Sequence, residues 1–133
     1  MKIAVITPVK HLDGVVELLQ SKGDVVFYET STKEEVRELL SQTAIDTLVC
    51  NPNQQTYKID KELLEDTKVK LINSCSTGLN HIDLEYCKEN NIEIQCHKND
   101  FNLINQLPST SELAFGLMLS LLRQIPQGQK HVS

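Results

Sequence analysis

The residues of this chain best suited to hold a ligand stand in two short runs, Ser76-Thr77-Gly78-Leu79-Asn80 and Asn51-Pro52-Asn53-Gln54. The first follows the apolar stretch "VKLINSC" (69–75) and precedes the helix-patterned "HIDLEYCKENN" (81–91). Where a strand hands over to a helix, backbone N–H groups are left unpaired and the helix dipole favours an anion. Gly78 would let the backbone come close to a ligand or take positive φ. Such a turn suits a carboxylate. The same residues also read as an ordinary strand-to-helix turn, the commoner case, with Asn80 as N-cap and Asp83 as a first-turn acid. The second run suits a loop lip beside the same crevice, or again a plain turn.

Other chemistries fail on particular residues. His11, His81, His97 and His131 are scattered, and Cys50, Cys75, Cys87 and Cys96 contain no Cys-x-x-Cys pair, so no metal-ligand spacing is complete. The thiols read as reduced, core-filling cysteines of a cytoplasmic protein. His81 is tempting as a general base, but no second acid–base group stands at a fixed near spacing, and it reads as a surface histidine of a first helical turn. The glycines Gly14, Gly23, Gly78, Gly116 and Gly128 never form Gly-x-Gly-x-x-Gly, and there is no Walker loop. A phosphoacceptor receiver needs acids where this chain has Thr7-Pro8 and Asn51. No residue is therefore assigned to catalysis, cofactor binding or a metal.

The elements that must position these turns follow an alternating rhythm. Strand-like "KIAVIT", "DVVFYET", "DTLVCN", "VKLINSC" and "IEIQC" are separated by helix-like "LDGVVELLQSKG", "STKEEVRELLSQ", "DKELLED" and "HIDLEYCKENN". Thr32 or Ser31 ahead of Glu34 and Glu35 supplies a capping box. This predicts an α/β fold, a flavodoxin-like parallel sheet in the order 2-1-3-4-5 with helices on both faces. Residues 1–100 form this domain. Residues 101–133 are a polar connection, then an apolar helix opened by a Ser109–Glu112 capping box and ended by Pro126. That helix is apolar around nearly its whole circumference, so it calls for cover on all sides, and at roughly 15 residues it is too short for a bilayer. The start, "MKIAVITPVK", is a strand and not a signal segment. With 133 residues, 40% hydrophobic and 23% charged, and a formal charge of -5, the chain has no basic footprint for nucleic acid or an anionic membrane.

Over essentially the whole chain, most strongly from Leu71 to Pro126, the sequence resembles the NAD-dependent D-isomer-specific 2-hydroxyacid dehydrogenases. The resemblance rests on Gly78, Ile82-Asp83, Ile92-Glu93-Ile94, Ser111-Glu112 opening an apolar helix, and Arg123, with Ser111 standing where the family usually has alanine. It implies a substrate-binding (catalytic) domain whose turn after the fourth strand holds the substrate carboxylate, here on Thr77 and Gly78 with Ser76 beside them. Asn51, Pro52 and Asn53 would flank the substrate. The helix 109–125 would begin the nucleotide-binding domain and lie in a homodimer interface. Full-length members use NAD or NADP. Residues 1–133 lack the dinucleotide fingerprint and the family's catalytic arginine, acid and histidine, so alone they are expected to bind no dinucleotide and to be inactive. The rival expectation is a free-standing, non-catalytic protein of the same fold that binds a carboxylate or dimerises.

Overall fold

The computed structural model describes residues 1–29, 31–52 and 56–132. They divide into two compact units, Met1–Asn99 and Asp100–Ser133.

The first unit is built on five parallel strands, β1 (Lys2–Val5), β2 (Asp24–Phe27), β3 (Thr47–Cys50), β4 (Leu71–Ser74) and β5 (Glu93–Cys96). Their order is β2-β1-β3-β4-β5, as the alternating pattern predicts. Between them run α1 (Val15–Gln20), α2 (Lys33–Gln42), α3 (Lys61–Leu64) and α4 (Leu84–Glu89). Inner strands covered on both faces bury consecutive side chains, and Ile3 to Val5 and Thr47 to Cys50 are all buried. On one face Ala4, Leu48, Cys50 and Ile72 pack with Val36, Leu39 and Leu40 of α2, Leu63 and Leu64 of α3, and Cys87 of α4. On the other, Ile3, Val5 and Val49 meet Val15 and Leu19 of α1 with Val25 and Phe27 of β2.

The helices that steady the site are fixed by polar ends. Thr32 and Glu35 form the expected capping box: Glu35 N–H donates to Thr32 Oγ1 at 3.3 Å and Thr32 N–H to Glu35 Oε2 at 2.8 Å. Arg37 of α2 reaches the carbonyls of Leu63 and Glu65 at the end of α3, satisfying acceptors that the helix leaves open. Lys33 pairs with Asp60 (3.0 Å) and Glu62 (2.5 Å), which raises the Lys33 pKa through its hydrogen bonds to the two carboxylates.

The expected start of α4 is corrected. Asn80 is not the N-cap of α4. Asp83 is, its carboxylate accepting the Tyr86 N–H at 3.2 Å. The reason lies in a parallel bridge between Ile59 and Ile82, in which Ile59 N–H donates to His81 O and Asp83 N–H to Ile59 O, both at 2.8 Å. That bridge holds residues 81–83 against Ile59 and delays the helix. Gly78 does not take positive φ; among the described glycines only Gly14 does, at 77°.

The second unit holds α5 (Phe101–Ile104), α6 (Ser109–Leu122) and α7 (Ile125–Val132). The stretch expected to be an irregular connection thus contains a helix, capped by Asp100 through the Leu103 N–H at 3.3 Å. The Ser109–Glu112 capping box does not form. Pro108 occupies the cap position without a side-chain bond and Ser109 is already helical, because proline's fixed φ suits a helix start. Pro126 does not end α6 either. The chain leaves that helix after Leu122, passes Gln124 at φ 53°, and places Pro126 in the first turn of α7. No residue of α6 is buried. Among the described residues no helix is long and apolar enough to cross a membrane.

Candidate functional site

The carboxyl ends of β3 and β4 lie side by side. Cys50 pairs with Ser74, and Cys75 N–H donates to Cys50 O at 2.9 Å. Just beyond, Asn51 Nδ2 donates to Cys75 O at 3.4 Å, so the loop after β3 meets the turn after β4. The structure therefore brings Asn51 beside the run Ser76-Thr77-Gly78; Pro52 is half-buried next to Asn51, and Asn53 and Gln54 lie outside the described residues. Thr77 and Gly78 are exposed, and neither N–H donates a hydrogen bond to a described residue. A Cβ built on Gly78 would meet nothing within 4 Å. Two N–H groups without a described acceptor thus lie at the carboxyl end of the sheet, where ligands of open α/β sheets bind, with open space where a Gly78 side chain would stand. They do not belong to a helix terminus, since α4 begins only at Leu84. An anion at this turn would meet the turn's own N–H groups and not a helix dipole.

Behind the turn is a polar cluster. His81 Nε2 lies 3.1 Å from Ser74 Oγ and 3.5 Å from Cys50 Sγ. Ser74 Oγ is 2.8 Å from Ser76 Oγ, and Ser76 Oγ donates to Gly78 O at 2.7 Å. Ser74 and Cys50 are fully buried. Burial pushes the Cys50 thiol up to about 12, and burial also raises Cys75. His81 moves the other way, its imidazolium disfavoured by burial. Near neutral pH the cluster holds a thiol and a neutral imidazole, so it has no activated nucleophile. His81 is not the surface helix residue that its sequence neighbourhood predicts. It precedes the helix and turns its ring inward, with a buried Nδ1. The available signal was Asp83: once that residue caps α4, His81 falls in the segment bridged to Ile59.

Residues 3–97 match the D-isomer specific 2-hydroxyacid dehydrogenase family over its catalytic domain. The chain belongs to that family. Among curated relatives, the D-3-phosphoglycerate dehydrogenase of Methanocaldococcus jannaschii is 33% identical over 128 residues, which cover 96% of this chain and 22% of that protein. The chain spans about a fifth of the length of the first curated relatives it matches. Among solved structures, the NAD+-bound 3-phosphoglycerate dehydrogenase of Entamoeba histolytica is 28% identical with a TM-score of 0.57, over 72% of this chain and 32% of that one. A glyoxylate reductase from Paecilomyes thermophila shares the fold at 22% identity, with a TM-score of 0.74 over 94% of this chain and 39% of that one.

Among the described residues, the second unit shows none of the elements that commonly receive a dinucleotide. The second unit is helical throughout its described elements, so it offers no strand, glycine turn and helix to receive a pyrophosphate. Among the described residues no cluster of His, Cys, Asp or Glu could hold a metal ion. What the geometry can do is hold an anion on backbone donors and flank it with an amide side chain.

Proposed function

We propose that this chain is the substrate-binding part of a D-2-hydroxyacid dehydrogenase that interconverts a 2-hydroxy acid and a 2-oxo acid with NAD(H). Thr77 and Gly78 N–H receive the substrate carboxylate, Ser76 shapes the turn, and Asn51 with Pro52 and Asn53 flanks the substrate. The observation that carries this reading is the pair of unbonded N–H groups beside open space at Gly78. Hydride transfer needs nicotinamide, substrate and an acid–base group held together. Residues 1–133 supply one wall of that arrangement, and no turnover is expected from them alone. The test is titration of the 15N-labelled chain with oxamate, an isostere of a 2-oxo acid, alongside an assay of NADH oxidation with glyoxylate. The amides of Thr77 and Gly78 should shift. Gly78→Val has room to fold and should bind about tenfold or more weakly, because the side chain crowds the approach to the backbone. Equal binding by both proteins would remove the turn from the site, and NADH oxidation would overturn the inactivity.

A second property is common to this reading and to a free-standing binding protein. Leu113, Phe115, Leu117, Leu121 and Leu122 of α6 are 57–72% exposed. A helix apolar on all sides requires a partner, and we propose that α6 (Ser109–Leu122) pairs with its copy in a homodimer. Sedimentation at micromolar concentration should give twice the chain mass; a monomer would count against the pairing.

A further inference from the structure

The hydroxyl chain behind the turn has a direction that the donor count fixes. Three contacts link His81 to Ser74, Ser74 to Ser76, and Ser76 to Gly78 O, at 3.1, 2.8 and 2.7 Å. Each needs a proton, each serine brings one, and a carbonyl brings none. Ser76 O–H must therefore donate to Gly78 O. Ser74 O–H must then donate to Ser76, and His81 Nε2–H to Ser74. Reversing any link would set two lone pairs against each other. The same assignment explains the buried Nδ1, which has no hydrogen-bond partner among the described residues. In this tautomer it carries a lone pair, and a hydrogen there would be a buried donor without an acceptor, the costlier defect. Cys50 Sγ, at 3.5 Å from Nε2, is a weak additional acceptor for the same N–H.

The far end of the chain is firmly held. His81 O accepts from Ile59 N–H at 2.8 Å, and its neighbour Ile82 is buried beside the fully buried Ile59. The near end, Gly78 O, fixes the Gly78–Leu79 peptide plane and closes a two-residue turn around the N–H groups of Thr77 and Gly78. We infer that His81 is a positioning residue for the carboxylate turn: as a neutral Nε2–H donor it orders Ser74 and Ser76 so that the turn is preformed before a ligand arrives. Preformed donors do not have to be ordered during binding, which is where affinity is otherwise lost. This inference rests on the carboxylate reading above for its consequence, but not for the direction of the hydrogen bonds.

The experiment uses the 15N-labelled chain and its variants Ser74→Ala, Ser76→Ala, His81→Leu and His81→Gln. Imidazole 15N shifts should show the Nε2–H tautomer of the neutral His81 ring. In His81→Leu and Ser74→Ala, the ligand-free amide signals of Thr77, Gly78 and Leu79 should broaden or move, and oxamate should bind about tenfold more weakly. His81→Gln keeps an N–H at a similar reach and should restore binding to within about threefold. A merely space-filling histidine would not be rescued by glutamine over leucine. Ser76→Ala, at a half-buried position, cuts the last link and serves if a buried substitution prevents folding. An Nδ1–H tautomer would overturn the inference. So would wild-type Thr77–Leu79 signals in the broken-chain variants, or a glutamine variant as weak as leucine. If oxamate moves neither amide in the unaltered chain, the carboxylate reading fails, while the tautomer and the ligand-free signals still decide the relay.

Discussion

Neighbouring residues of β4 face two differently built sides of the sheet. Ile72 and Ser74 look into the face closed by α2, α3 and α4, where both are buried. Leu71, Asn73 and Cys75 look to the other side, where α1 supplies the cover over β1 and a groove of about 420 Å³ runs between Leu18 and Leu19 of that helix and Leu71, Asn73 and Gln95. The difference is written along the strands: β1 and β3 bury successive residues, whereas β4 and β5 alternate. It also explains where the candidate site sits. Ser74, Cys50 and His81 crown the closed face, so the turn at Gly78 is braced by the better packed half of the unit.

The most forceful way to break this contrast is a pair of adjacent truncations. Ile72→Ala should cost about 2–5 kcal/mol by urea denaturation, because it leaves a cavity in a closed core. Leu71→Ala, on a half-buried side chain facing the groove, should cost about 1 kcal/mol or less. Similar losses would mean that the two faces are equally supported.

Thiol chemistry sharpens the contrast further. Cys75 is exposed, whereas Cys50 and Cys87 are buried on the closed face with thiols pushed up to about 12 and about 11, chiefly by burial. At pH 8 a disulfide reagent should label Cys75 first, and Cys50 and Cys87 at least about a hundredfold more slowly, since the thiolate is the nucleophile. Mass-mapped labelling at equal rates would show that the closed face opens readily.

Much of this architecture can be read in advance. The strand order follows from the apolar runs and their helical separators, and the start of α2 from Thr32 and Glu35, because both signals are local. The start of α4 was not legible, since Asn80 and Asp83 are both good caps and only the contact of Ile82 with distant Ile59 decides between them. His81 went astray for the same reason: its ring is turned inward by a bridge that no periodicity encodes. Pro126 misled because proline is compatible with the first turn of a helix as well as with its end. The free N–H groups of Thr77 and Gly78 were anticipated as donors, but their detachment from the helix dipole was not.

The bridge between Ile59 and Ile82 bears on how such a site can change over generations. It fastens the far end of the segment that leaves β3 to the segment that leads into α4, and Cys50 anchors the near end. Between those two posts Asn51 still donates to Cys75 O and Tyr57 packs against the closed core, so neither is insulated from the turn. A lineage that exchanges Asn51 therefore also removes a tie to the strand end from which the turn departs.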